Sequence, residues 1–157
     1  MRHAPQHFDD LTEGQSWEEG PRRLSREDIA TFADVSGDQT ALHTDDAYAA
    51  TTPLGGLAAH GVLNLAVATG LAYEMGVFEG TVLAIRSMQV KYDRPVFPGD
   101  ELTLTLDVRE LDPRPRPDRG RVEFGVTLRN QGGKTVLSGQ WSVLVRRRAA
   151  AGSSQPS

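Results

Sequence analysis

Between His60 and about Met75 the chain sets Val62, Leu63, Leu65, Ala66, Val67, Ala68 and Leu71 around most of the circumference of one helix. A helix that is apolar nearly all round has no face for water and belongs at the centre of a fold. Whatever surrounds it must be apolar on one side and polar on the other. The C-terminal half supplies such a surface. Leu102, Leu104, Leu106 and Val108 alternate with Thr103, Thr105 and Asp107, and Val122, Phe124, Val126 and Leu128 alternate with Glu123, Gly125 and Thr127. Period two marks strands buried on one face. Residues 81–93 and 134–146 read as two more strands, and 16–24 as a fifth at an edge. Asn130-Gln131-Gly132-Gly133 reads as a hairpin turn, and the Arg/Pro-rich stretch 112–120 as a long hairpin loop.

The packing that satisfies both halves is α+β: a curved antiparallel sheet wrapped around a buried central helix. One sheet around one helix leaves strand edges open, so a homodimer joined edge to edge is expected. The apolar run Gly61–Leu71 is broken by Asn64, Thr69 and Gly70. It falls short of the roughly 18 to 20 residues of a membrane span. The first half reads as shorter helices. Ser25 and Asp28 have capping-box spacing, Ile29, Phe32 and Ala33 follow at helical intervals, and Gly37 stops the helix. Residues 45–50 form a second short helix with Thr44 as N-cap.

A chain of 157 residues is one domain. Residues 15–148 are assigned to it, 1–14 to a flexible lead-in with solvated His3 and His7, and 149–157 to a disordered tail. The run Arg146-Arg147-Arg148 reads as a solvated strand end. With 17 basic against 21 acidic residues the net charge is -4. That balance argues against a nucleic-acid partner. The absence of cysteine excludes disulfides, thiolate metal sites and a cysteine nucleophile. No membrane partner and a soluble, cytoplasmic protein are expected.

Chemistry concentrates in two segments. In Ser36-Gly37-Asp38-Gln39-Thr40-Ala41-Leu42-His43, a connection between helices, Asp38 and His43 are five residues apart. On a turning loop a carboxylate and an imidazole can hold one water and move its proton. The same spacing fits an Asp that caps the helix before Tyr48 and a His packed on Leu42. In Gly55-Gly56-Leu57-Ala58-Ala59-His60-Gly61, two glycines precede a helix start. Its free N–H groups, that of Gly61 first, can stabilise an oxyanion. An ordinary helix start, with His60 hydrogen-bonded in the core, fits as well.

Taken in order, these segments resemble the MaoC-like dehydratase / (R)-specific enoyl-CoA hydratase family. The matching residues are Gly37-Asp38-Gln39-Thr40-Ala41-Leu42-His43-Thr44-Asp45, Tyr48-Ala49, Thr51-Thr52, Gly55-Gly56, Ala59-His60-Gly61 and Tyr92-Asp93-Arg94-Pro95-Val96-Phe97-Pro98-Gly99-Asp100. Thr40 and Ala41 stand where that family commonly has Asn-Pro. The resemblance implies a hotdog fold, usually dimeric. It implies Asp38 and His43 as the catalytic pair and the Gly61 N–H as oxyanion donor. The implied reaction is reversible hydration of a trans-2-enoyl thioester to an (R)-3-hydroxyacyl thioester. The substrate would be carried on CoA or acyl carrier protein, with no metal and no cofactor.

Gly56, Leu57, His60, Leu63 and Val67 are the candidate substrate contacts, with core packing the other reading of the apolar ones. Arg114, Arg116, Arg119 and Arg121 could meet CoA phosphates or simply decorate a solvated tip. Two rivals share the fold. A hotdog acyl-CoA thioesterase would want a carboxylate on the central helix, where only Glu74 stands, near the far end. A non-catalytic acyl-thioester binding subunit would account for the altered Thr40-Ala41. A metal held by Asp38, His43 and His60 is disfavoured because no His pair lies at i, i+4.

Overall fold

The alternating segments pair as their pattern requires. The computed structural model of the protein describes residues 2–149. In chain order it contains β1 (Ser16–Arg23), α1 (Arg26–Ser36), α2 (Ala41–Thr44), α3 (Asp46–Ala50), α4 (Gly61–Glu74), β2 (Val82–Tyr92), β3 (Glu101–Arg116), β4 (Arg119–Arg129) and β5 (Thr135–Arg146). The five strands make one antiparallel sheet in the order β1-β3-β4-β5-β2. Register sets apolar residues opposite one another: Leu104 faces Leu128, Leu106 faces Val126, and Phe124 lies between Val108 and Trp141. All of these are buried, together with Leu63, Val67, Ala68 and Leu71 of α4. The architecture is the α+β hotdog arrangement expected, with α4 in the hollow of the sheet.

α4 is apolar nearly all round, yet among the described residues only one of its sides is covered. Val62 and Tyr73 on its other side are 59% and 62% exposed. His60 is its N-cap, so the helix begins one residue later than the pattern suggested. Thr69 donates its hydroxyl back to the Ala66 carbonyl at 2.7 Å. Asn64 is buried, and its Oδ1 has no partner among the described residues.

Local signals upstream hold for α1. Ser25 accepts from the Asp28 N–H while Asp28 accepts from the Ser25 N–H, and Gly37 closes the helix at φ 77°. The cap of α3 is Asp45 rather than Thr44: Asp45 Oδ1 accepts from Tyr48 N at 3.0 Å, whereas the Thr44 hydroxyl turns back to the carbonyls of Gln39 and Thr40. A carboxylate at this position is the stronger cap because it also meets the positive end of the helix.

The N-terminal segment, expected as a flexible lead-in, is docked. His3 N and Gln6 N donate to the carbonyls of Met75 and Val77, and Phe8 and Leu11 are buried. Phe8 lies over Gly120, where a β-carbon would collide with the ring. Arg147 stacks on the Phe8 ring at 5.0 Å, and Arg148 grips Asp10 through Nη2 at 2.8 Å. These two arginines therefore tie the end of β5 to the N-terminal segment, although the Arg148 side chain stays 60% exposed. The expected C-terminal tail lies, from residue 150 on, outside the described residues.

The stretch 112–120 is not a long loop. β3 and β4 continue through it to a tight turn at Pro117-Asp118. Asp112 makes this possible. It accepts from Arg114 N at 3.0 Å, Arg114 Nε at 2.8 Å and Arg121 Nη2 at 3.0 Å. Arg119 pairs with Asp118. Three of the four arginines are thus already met by carboxylates. The Arg114 side-chain bond, then its backbone N–H, hold the Asp112 carboxyl at about 2, against an ordinary 3.8. A depressed carboxylate stabilises the fold above its unfolded value and loses that contribution as pH falls toward its folded one. Asp112→Asn should therefore be less stable than wild type near pH 5. The gap should close between about pH 4 and pH 2, as urea midpoints at successive pH values would show. A gap constant over that range would exclude the pairing as its source.

Candidate active site

Gly37, in the left-handed region, turns the chain out of α1 so that Asp38 begins a new direction. Asp38 then folds its own loop. Its Oδ1 accepts from Thr40 Oγ1 at 2.6 Å and from Thr40 N at 3.2 Å, which leaves Oδ2 outside the turn. Thr40 therefore supplies a side-chain brace to the carboxylate at the position of the altered motif. The Thr40 hydroxyl, then its N–H, hold the Asp38 carboxyl below the ordinary carboxylate range, with smaller contributions from the neighbouring His60 and His43. Asp38 is exposed and is a carboxylate at neutral pH.

His43 does not lie on an irregular connection. It sits on the single-turn helix α2, opened by the His43 N–H to Thr40 carbonyl bond of 2.9 Å. Its Nδ1 lies 2.7 Å from the carbonyl oxygen of Ala58. A carbonyl can only accept, so Nδ1 carries the hydrogen. In the neutral ring the lone pair then falls on Nε2, the nitrogen available as a base. The loop that presents Ala58 is fixed at both sides: Ala58 N donates to Leu42 O at 3.3 Å and Ala59 N to Val96 O at 2.8 Å.

His60 completes the group. Its ring stacks on His43 with centroids 3.9 Å apart at 26°, and meets Phe32 edge-on at 4.9 Å. Its Nε2 donates to the Asp38 backbone carbonyl at 3.0 Å. Asp38, His43 and His60 each bring a ligand atom within 4.8 Å of the others. That is the composition of a small metal site, but the geometry suits one poorly. Two of the four ring nitrogens face carbonyls, and nearly parallel rings aim their in-plane lone pairs side by side rather than at one point.

Gly61 opens α4, and its first-turn N–H groups have no partner within the helix. A side chain closes the approach over the Gly61 Cα. The Tyr92 ring lies on it, and a β-carbon at Gly61 would stand 2.9 Å from Tyr92 Cε1. Tyr92, 48% exposed at the end of β2, is a wall of the site; the sequence reading placed it in the 92–100 motif and gave it no role.

The other expected contacts divide. A β-carbon at Gly56 would meet open space. Leu57 shares a cleft of ≈ 320 Å³ with His43, Thr44, Gln39 and Ala33 of α1. Leu63 and Val67 are buried in the core on the sheet side of α4. His60, 2% exposed, faces the protein on all sides and offers a ligand no open surface. Glu74, the carboxylate a hydrolase reading would need, is thirteen residues past Gly61, about 20 Å along the helix.

Residues 10–129 match the family described as MaoC like domain. The chain is 33% identical over 119 residues to the (R)-specific enoyl-CoA hydratase of Aeromonas caviae, covering 76% of this chain and 84% of that protein. It is 28% identical over 145 residues to the 3-hydroxybutyryl-CoA dehydratase of Methylorubrum extorquens, covering 92% and 87%. Among solved structures, one described as a monoamine oxidase regulatory protein from Archaeoglobus fulgius superposes with a TM-score of 0.87 at 31% identity, covering 95% of this chain and 99% of that one.

Proposed function

The chain belongs to the MaoC-like dehydratase family, and from that premise we propose that it hydrates a trans-2-enoyl thioester to a 3-hydroxyacyl thioester with Asp38 and His43. The observation that carries this is the pairing of an ionised Asp38 with a His43 whose Nδ1 is tied to Ala58 O, leaving Nε2 to face chemistry. A water between Asp38 Oδ2 and His43 Nε2 would give its proton to the imidazole while its oxygen bonds to C3. The thioester carbonyl takes up the electron pair of the breaking C2–C3 π bond as an enolate. The N–H of Gly61 would meet that developing charge. The imidazolium, stabilised by the Asp38 carboxylate, then returns its proton to C2. The water is thereby divided between C3 and C2, and no cofactor is drawn on. The (R) configuration and the CoA carrier come from the names of the relatives, and acyl carrier protein is a second carrier within the same proposal. We place the reaction in the cytoplasm. Among the described residues no helix is long and apolar enough to cross a membrane.

Loss of enoyl-thioester absorbance with crotonyl-CoA and a medium-chain enoyl-CoA tests the reading. Turnover is expected, with no release of free thiol. Free thiol without hydration would make the protein a thioesterase, and binding without either would make it an acyl-thioester binding subunit.

A homodimer is part of the proposal. β1 protects its edge with Glu18, Glu19, Pro21, Arg22 and Arg23. β2, the other edge, leaves Val82, Ile85 and Tyr92 38%, 48% and 48% exposed, beside the open Val62 and Tyr73 of α4. Such an edge invites a second copy. Sedimentation of the wild type should give about twice 17.1 kDa, and Ile85→Lys should shift the mass toward one chain. A wild type that sediments as a single chain would remove this part of the proposal.

A further inference from the structure

We propose that His60 is a positioning residue, holding Asp38 through its edge and His43 through its face; the inference rests on the hydration reading above. The two members of the pair lie on different elements, and their side chains bond to Thr40 and Ala58 rather than to each other. Asp38 sits in an exposed turn after α1, and His43 on a helix of one turn. Neither support is rigid by itself, since so short a helix has little stability of its own. What is rigid is the N-terminus of α4, packed into the sheet. His60 stands there as N-cap and is 2% exposed.

From that position its Nε2–H reaches the Asp38 carbonyl at 3.0 Å, and its ring plane presses on His43 at 3.9 Å. Phe32 of α1 backs the ring at 4.9 Å. Only a flat side chain with a donor at its far edge can make both contacts at once. Phenylalanine keeps the plane and loses the donor. Glutamine keeps a donor at nearly the same reach and loses the plane. The Thr40 brace fixes Asp38 from its carboxylate and His60 fixes it from its backbone, so the loop is pinned on both sides of the Cα. His60 touches no open surface, which separates this role from substrate binding.

The test compares His60→Phe and His60→Gln with the wild type. His60→Phe is expected to lower kcat by about 10- to 30-fold with KM within about twofold, because a displacement well under 1 Å already costs rate. Its melting temperature should stay within about 2 °C. His60→Gln, with the donor restored and the plane lost, should recover most of that loss and stay about 3- to 5-fold below wild-type kcat, the remainder reflecting the missing contact with the His43 ring. Equal losses in the two variants, or a His60→Phe enzyme with wild-type kcat, would overturn the proposal. Hydrogen exchange of the Thr40 amide, which donates to Asp38, gives a readout without substrate. It should speed up in His60→Phe and stay protected in His60→Gln. Unchanged protection in His60→Phe would reject the positioning role whether or not the wild type turns over enoyl-CoA. Altered protection alongside an inactive wild type would reject the hydration reading alone.

Discussion

Asp38→Asn is expected to lower kcat for enoyl-CoA hydration by about 10²- to 10⁴-fold, the range for loss of one acid–base group. The substitution is nearly isosteric. Asn Oδ1 can keep both bonds from Thr40, so the turn persists. The change falls on the other atom. At Oδ2 an acceptor with negative charge becomes an N–H donor, which turns the bound water the wrong way and no longer stabilises a protonated His43. Both losses are felt most in the transition state, so kcat and kcat/KM should fall together. Because Asp38 is exposed and its turn is retained, the variant should melt with the wild type. An Asp38→Asn enzyme within about fivefold of wild-type kcat would remove Asp38 from the mechanism.

The largest expected loss of stability is at Phe124. Its side chain is 1% exposed in the middle of β4, between Val108 and Trp141, and meets Phe78 edge-on at 5.0 Å. Phe124→Ala removes a fully buried ring from beneath α4. The space left would join an apolar cavity of ≈ 200 Å³ that Phe124 already lines with Trp141, Val143 and Tyr73. A sheet paired on both sides cannot collapse to fill it. Phe→Ala in such cores costs about 3 to 5 kcal/mol, of which about 1 reflects the lost edge-to-face pair. A domain this size has about 5 to 15 kcal/mol in total, so the variant should be marginal. Urea unfolding at one fixed protein concentration would measure it. A cost below about 1.5 kcal/mol would mean that the cavity closes or that the ring is less confined than the packing indicates.

Much of this protein can be read in one dimension. Alternation at 102–108 and 122–128 records which face of each strand is buried, because side chains on a strand point to opposite sides. The apolar helix at 60–75 needed a concave sheet, and Ser25 with Asp28 marked the start of α1 by a bond that closes within four residues. The motif order placed Asp38 and His43 in one site and pointed to the family. Thr40 was legible as a departure that keeps a hydroxyl, but its two bonds to Asp38 Oδ1 were not.

What the chain order could not decide is how distant parts meet. The expected loop at 112–120 became strand because Asp112 binds Arg121 across the hairpin, a pairing invisible until the register is known. The state of His43 depends on the Ala58 carbonyl, and the orientation of His60 on the Asp38 carbonyl, 22 residues away. Every residue has a backbone carbonyl, so no letter in the sequence reports which one will be presented. Tyr92 reaches Gly61 only because β2 ends beside the start of α4. The sequence by itself determined the periods, the cap of α1 and which side chains able to move a proton lie in the 36–61 region, since each is local and tied to side-chain type. Tertiary structure alone decided which nitrogen is free, which ring supports which, and which face of α4 stays open, because those depend on the path of the backbone between segments.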